Sequence, residues 1–186
     1  MKHRILSIIT ALALCLSLLP GTVLATEVPV DGNWTDGLTE APEGWSESGD
    51  GSTITITTPE ALAWLAVIVN DENIAAFEDN PTFGKTVVLG ADLDLGGKHW
   101  TPIGNGPFGK HTVNAFVGNF DGNGHTISHL TIDDSSGRGS IGLFGNVYLN
   151  GHWGPRSIQN VTVENASITT NRFTGSGYVG VLAGQV

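Results

Sequence analysis

Two short patterns recur in the same order in the second half of this chain, and they restrict its fold more than any other feature. Ile127-Ser128-His129-Leu130-Thr131-Ile132 matches Ile158-Gln159-Asn160-Val161-Thr162-Val163 as apolar-x-x-apolar-Thr-apolar. Ile141-Gly142-Leu143-Phe144-Gly145-Asn146-Val147 matches Val179-Gly180-Val181-Leu182-Ala183-Gly184-Gln185-Val186 with one extra residue. The units stand roughly 30 to 40 residues apart, the spacing of supersecondary units that stack on one another. Their β-branched, alternating, Gly-rich character excludes helical repeats. A propeller blade needs four paired strands, and each repeat has room for two or three short ones. A coil of short strands turning on Gly or Asn fits best. The expected class is all-β, a parallel β-solenoid of about four coils from Thr86 onward.

The upstream pattern agrees. Thr53 to Thr57 alternates Thr and Ile as a short strand. Thr57-x-x-Glu60 reads as a capping box and Pro59 suits a first helical turn. Leu62, Leu65, Ile68 and Val69 then recur at spacings of three and four, with Trp64 beside them, so a mostly apolar helix is expected from Glu60 to Asn70. From Thr86 to Gly96 the period drops to two: Val87, Leu89, Ala91, Leu93 and Leu95 face one way, Asp92 and Asp94 the other. A solenoid end exposes core and unpaired edges, and this helix is placed to cap it.

Residues 1–25 have the parts of a signal peptide: basic Lys2, His3 and Arg4, an apolar run from Ile5 to Leu19, a break at Pro20-Gly21, and small residues before a cut after Ala25. The run is shorter than the roughly 20 apolar residues of a spanning helix, so no membrane insertion is expected after cleavage. Cys15, the single cysteine, lies inside that run, which leaves the mature chain without disulfides or thiolate metal sites. Losing Lys2 and Arg4 takes the formal charge from −10 to −12. Such a surface repels nucleic-acid backbones and anionic lipids. Residues 26–52 carry seven acids and no Lys or Arg, with Trp34 and Trp45 among them. They read as an acidic flexible linker, the tryptophans docking on the domain or staying exposed more readily than stacking on a sugar. Residues 53–186 form the capped solenoid.

The order of motifs resembles a known family. Leu62-Ala63-Trp64-Leu65-Ala66, Ala91-Asp92-Leu93-Asp94-Leu95, Trp100-Thr101-Pro102-Ile103-Gly104 and Phe120-Asp121-Gly122-Asn123-Gly124-His125-Thr126-Ile127 follow one another, then Gly142-Leu143-Phe144-Gly145 and the repeats above. Together they resemble the GLUG-type β-helical repeats of large adhesin-like bacterial surface proteins, also found beside the catalytic part of some IgA-specific metallopeptidases. The resemblance covers about residues 53–186. It implies a right-handed parallel β-helix with an N-terminal capping helix and a surface location, and no activity. The signal peptide resembles those of Gram-positive gut bacteria. The last repeat carries no closing cap, so a chain continuing beyond Val186 is expected.

Asp92 and Asp94 are the best paired carboxylates. On one strand face they sit about 7 Å apart, within the range for inverting glycoside hydrolysis, though solvated acids on an outer face is the plainer reading. Asp121-Gly122-Asn123-Gly124 lacks the later ligands of a calcium loop, having His125 and Ile132 in their places, and reads as a tight turn. His125 and His129 lack the Glu of a zinc-protease motif, and extended chain would hold them about 13 Å apart. Two G-x-G-x-x-G matches, at Gly104 and Gly175, open no helix. Trp153, in the Gly-rich excursion from Tyr148 to Pro155, is the one candidate binding residue, for a sugar ring. No cofactor or metal is expected.

The function expected is therefore a secreted or cell-wall-associated module with a binding or stalk role towards host or environmental glycan or a surface protein. The alternatives are a carbohydrate-active β-helix enzyme, lyase or hydrolase, using Asp92 and Asp94 with Lys98, or the non-catalytic start of a surface metallopeptidase.

Overall fold

Alternating apolar residues place one side chain in two indoors, and in this protein the indoor residues of successive segments lie one above another. The computed structural model describes residues 32–105, 114–134, 139–148, 156–170 and 178–186. The expected signal peptide lies outside the described residues, as does Trp153.

Strands dominate the described residues, so the protein is all-β; among those residues there is one α-helix and a short 3-10 turn at Phe77–Asp79. β1 (Trp45–Glu47) pairs antiparallel with β2 (Thr53–Ile56). From there every strand pairing among the described residues is parallel. β2 pairs with β3 (Thr86–Leu89), β3 with β5 (Asn119–Asp121), and β5 with β10 (Ile158–Gln159). Thr53 stands beside Thr86 and Thr86 beside Asn119, a step of 33 residues each time (86 − 53 and 119 − 86). Phe120 stands beside Ile158, a step of 38 (158 − 120). Ile54, Val87, Phe120 and Ile158 therefore form one apolar column, its first three members wholly buried. Parallel ladders also join β4 (Leu93–Asp94), β6 (Thr126–Ser128) and β11 (Thr162–Glu164). β7 (Thr131–Asp134) pairs with β12 (Ser167–Thr170), β8 (Ser140–Ile141) with β13 (Tyr178–Val179), and β9 (Phe144–Asn146) with β14 (Ala183–Gln185).

Between the columns three rings interlock: Phe116, Phe120 and Phe144, with centroids 5.0 to 6.4 Å apart and all fully buried. Aromatic pairs at this spacing and tilt add about 0.5–1.5 kcal/mol each beyond area burial. On the last rung the apolar side chains are more open: Tyr178, Val179, Val181, Leu182 and Val186 are exposed.

The repeat register differs from the sequence match in one place. Ile127 stacks on Val163, Ile132 on Ile168, and Ile158 on Phe120. The turn after β5 holds residues 122–125, whereas the turn after β10 holds only 160–161. Aligning like residues across turns of unequal length slips the register. The second repeat stacks as its sequence aligns: Ile141 lies beside Val179 and Phe144 beside Ala183, one residue further on.

Helix α1 (Pro59–Val69) has Thr58, not Thr57, as its N-cap. Thr58 is extended (φ −133°, ψ 155°) and its Oγ1 accepts from Ala61 N at 3.2 Å. Pro59, having no N–H to satisfy, begins the helix. Ala61, Leu62, Ala63, Leu65, Ala66 and Val69 are all buried in the same core cluster as the strands. Asn70 closes the helix and fastens a distant loop: its Oδ1 accepts from Gly104 N (3.0 Å) and Asn105 N (2.7 Å), and its Nδ2 donates to Pro102 O (3.0 Å).

The acidic stretch also departs from expectation. Its described part, residues 32–52, is attached to the domain. β1 extends the first sheet, and Trp34, Leu38 and Trp45 pack against the core. Trp34 Nε1 donates to Leu95 O at 3.0 Å, and Lys98 Nζ sits 4.9 Å over its ring. Three apolar side chains and a strand pairing outweigh the acidic composition that marked the segment as a linker.

Truncating Phe120 to Ala removes the centre of both the column and the ring cluster. We expect a loss of about 3–5 kcal/mol in urea unfolding; a loss under about 1 kcal/mol would contradict this position in the core.

Candidate functional site

The outer face of β4 and β6 gathers most of the ionisable residues that the sequence singles out. Gly90 interrupts the alternation after β3. β4 then buries Leu93 and turns Asp92 and Asp94 outward. Because Leu93 stands beside Ile127 and Asp94 beside Ser128, the two histidines that flank β6, His125 and His129, come next to the two carboxylates. Asp92 Oδ1 accepts from Thr126 N at 2.9 Å and meets His125 Nδ1 at 3.0 Å. Asp94 Oδ1 accepts from Gly96 N at 2.8 Å and meets His129 Nδ1 at 2.8 Å. An ionised carboxylate only accepts, so each Nδ1 is the donor in these pairs. His129 adopts φ 55° and so does not extend the strand; Asn165 has the same turn one rung on, at φ 53°. The pattern of sequence paired Asp with Asp and His with His. The fold pairs each Asp with a His.

This arrangement is poor in acid-base chemistry. The Thr126 amide, and then the His125 ring, hold Asp92 below the usual carboxylate pKa. The Gly96 amide and then the His129 ring do the same to Asp94. Inverting hydrolysis needs one carboxyl protonated at working pH, and both of these are pushed the other way. Lys98, the basic partner expected for such an enzyme, is turned to the Trp34 ring.

Asp121 is used in the same fastening way. Its Oδ1 accepts from Asn123 N (2.8 Å) and Asn160 Nδ2 (3.1 Å), its Oδ2 from Gln159 Nε2 (3.1 Å). His125 N donates to Gly122 O at 2.8 Å, with φ 52° at Asn123 and 81° at Gly124. That is a type I′ turn; its carboxylate is occupied by amides from the next rung. Trp100 is buried, its Nε1 donating to Leu143 O at 3.1 Å. Gly104 (φ 82°) lies against Asn146 O, where a Cβ would collide, so this glycine serves close packing.

One feature escaped the sequence reading. A cavity of about 400 Å³ opens where β3, β5 and β10 begin. Followed back one step from Thr86 and Asn119, the ladder register places Lys85 beside Gly118; from Phe120 and Ile158 it places Gly118 beside Arg156. Lys85 and Arg156 thus flank a glycine on three successive rungs. Only the stacking register brings them together, and a period of 33 to 38 residues with unequal turns conceals it.

No family model matches this chain, and no solved structure matches it. Halomucin of Haloquadratum walsbyi is 37% identical over 141 residues, 74% of this chain and 1% of that protein. A Gly-rich membrane protein of Evansella cellulosilytica is 37% identical over 92 residues, 48% of this chain and 10% of that protein. The chain therefore spans a small fraction of each relative. Among the described residues no helix is long and apolar enough to cross a membrane.

The two lowered carboxylates set an acid limit. A depressed folded pKa contributes stability that is present above the unfolded value of 3.8 and lost as pH falls through the folded value. Urea midpoints taken from about pH 6 down to about pH 2 should therefore drop more steeply in the native chain than in a D92N/D94N double variant. Identical slopes would mean that these contacts carry no stability.

Proposed function

We propose that this chain is exported and serves outside the cell as a non-enzymatic β-solenoid module of an adhesin-like surface protein, with a stalk or binding role towards glycan or surface protein. The observation that carries the reading is that the parallel ladders recur every 33 to 38 residues while the outward acids near their turns are consumed in joining one rung to the next. That is how a scaffold uses its polar side chains, not how a catalyst does.

The ladders support a right-handed parallel β-helix of the GLUG-repeat kind: crossover connections between parallel strands of one sheet are right-handed in nearly all proteins. Helix α1 and the antiparallel β1 are placed to act as the cap at the first rung, where an unpaired edge would invite association. Surface location gains support from the names of the relatives, a halomucin and a Gly-rich membrane protein. It also gains from the basic, apolar and small-residue order of residues 1–25.

Expression of the chain with a C-terminal tag in a bacterial host tests this directly. The expected product lies outside the cytoplasm and begins at Thr26, read by N-terminal sequencing. Recovery from the cytosol with residues 1–25 intact would contradict export.

A further inference from the structure

We propose that the last rung of strands is a self-docking rim, through which two copies of this chain stack end to end and pair their strand edges antiparallel. The proposal goes beyond the stalk or binding reading and does not rest on it. Three observations point to that rim and to a second copy.

The first is missing cover. The last rung consists of β10, β11, β12, β13 and β14, and each stands at the edge of its sheet with one neighbour. Along each ladder a buried side chain gives way to a more open one. Phe120 leads to Ile158, Ile127 to Val163 and Ile132 to Ile168, from buried to half-buried. Ile141 is 5% exposed and Val179 beside it 43%; Val147 is 5% exposed and Val186, one rung later, 73%. Val181 and Leu182 are open too, although their carbonyls accept from the amides of Leu143 and Phe144 on the rung before. One rung earlier the same positions are covered by a strand edge with an apolar residue at alternate places. What fits the last rung is another such edge.

The second is the lack of protection against pairing. Edge strands that stay single carry Lys, Pro, a bulge or a covering element. Strands β10 to β14 hold no Lys, Arg or Pro, and Glu164 is their one charged side chain. The opposite end is treated differently. There β1 closes the first sheet antiparallel, and α1 buries its apolar residues in the core. Among the described residues each copy therefore offers one open end.

The third is charge. Of the chain's 18 acids, residues 156–186 contain only Glu164, together with Arg156 and Arg172. The formal charge of this stretch is +1 (two Arg less one Glu), against −10 for the whole chain. A second copy approaching here escapes the like-charge repulsion that the acidic remainder imposes. A two-fold axis across the ladders lays the rim of one copy on the same rim of the other. It reverses strand direction, so the new pairing is antiparallel, and residues directly opposite still share a face. With one open end on each partner, association closes at two.

Analytical ultracentrifugation of the chain from Thr26 onward tests this. Over about a hundredfold range of concentration it should pass from monomer to dimer and no further. V179K/V181K sets like charges on the rim and should weaken the dimer at least about tenfold. Both positions are exposed in the single chain, so the fold should persist, read as an unchanged urea midpoint. V186K, at the most open position, decides if the double variant unfolds. S46K adds a cation at exposed Ser46 of β1, the opposite end, and should leave the dimer as it is. The proposal is overturned by a chain that stays monomeric, which would leave the rim to a partner of different sequence. Growth past two copies, a dimer that survives the rim lysines in a folded variant, or a dimer that S46K weakens equally would overturn it as well.

Discussion

Everything in the described part of this protein hangs on one backbone constraint: from β2 onward, the β segments hydrogen-bond, in parallel and in register, to segments one repeat away. Register is unforgiving in a sheet, because a shift of one residue turns every side chain to the opposite face. Here the apolar column from Ile54 through Val87 and Phe120 to Ile158 enforces it, since a slip on any rung would send a buried side chain into water and an outward Thr or Asp into the core. The interlocked rings of Phe116, Phe120 and Phe144 tie that column to the neighbouring ones.

The polar residues follow from the same constraint. Parallel rungs leave their corners needing partners for amides that leave the ladder, and short acids and amides supply them. Asp92 serves Thr126, Asp94 serves Gly96, and Asp121 serves Asn123. Once these oxygens are committed they are poor proton donors, which is why an acidic, carboxylate-rich face reads as scaffold. Residues with positive φ sit at those corners, among them Asn123, His129, Asn160 and Asn165, and Asn and His are among the side chains that tolerate this region best.

Much of this was legible in the residues. The change of period after Gly84, the inward set Val87, Leu89, Leu93 and Leu95, and the buried helix all follow from pattern alone. The stacking of Ile141 on Val179 was visible as a repeat. Three things were not. Likeness aligns Ile127 with Ile158, whereas in the fold a four-residue turn on one rung sits over a two-residue turn on the next. Residues 32–52 looked unattached because composition weighs acids and glycines, whereas attachment is decided by Trp34, Leu38 and Trp45 finding the core. The Asp–His pairs and the Lys85–Arg156 cleft join residues about one and two repeats apart, and such neighbours are created by register rather than by spacing along the chain.

Register is therefore what should be measured first. Replacing Cys15 leaves a cysteine-free background, into which cysteines can be placed in pairs. In the structure Thr126 stands beside Thr162, within the Cα separation a disulfide accepts. Alignment by sequence likeness would instead place Thr126 beside Ser157. Oxidation should close T126C/T162C readily and leave T126C/S157C open, as read by thiol titration of the folded chain. Closure of the second pair and not the first would contradict the stacking on which this account rests.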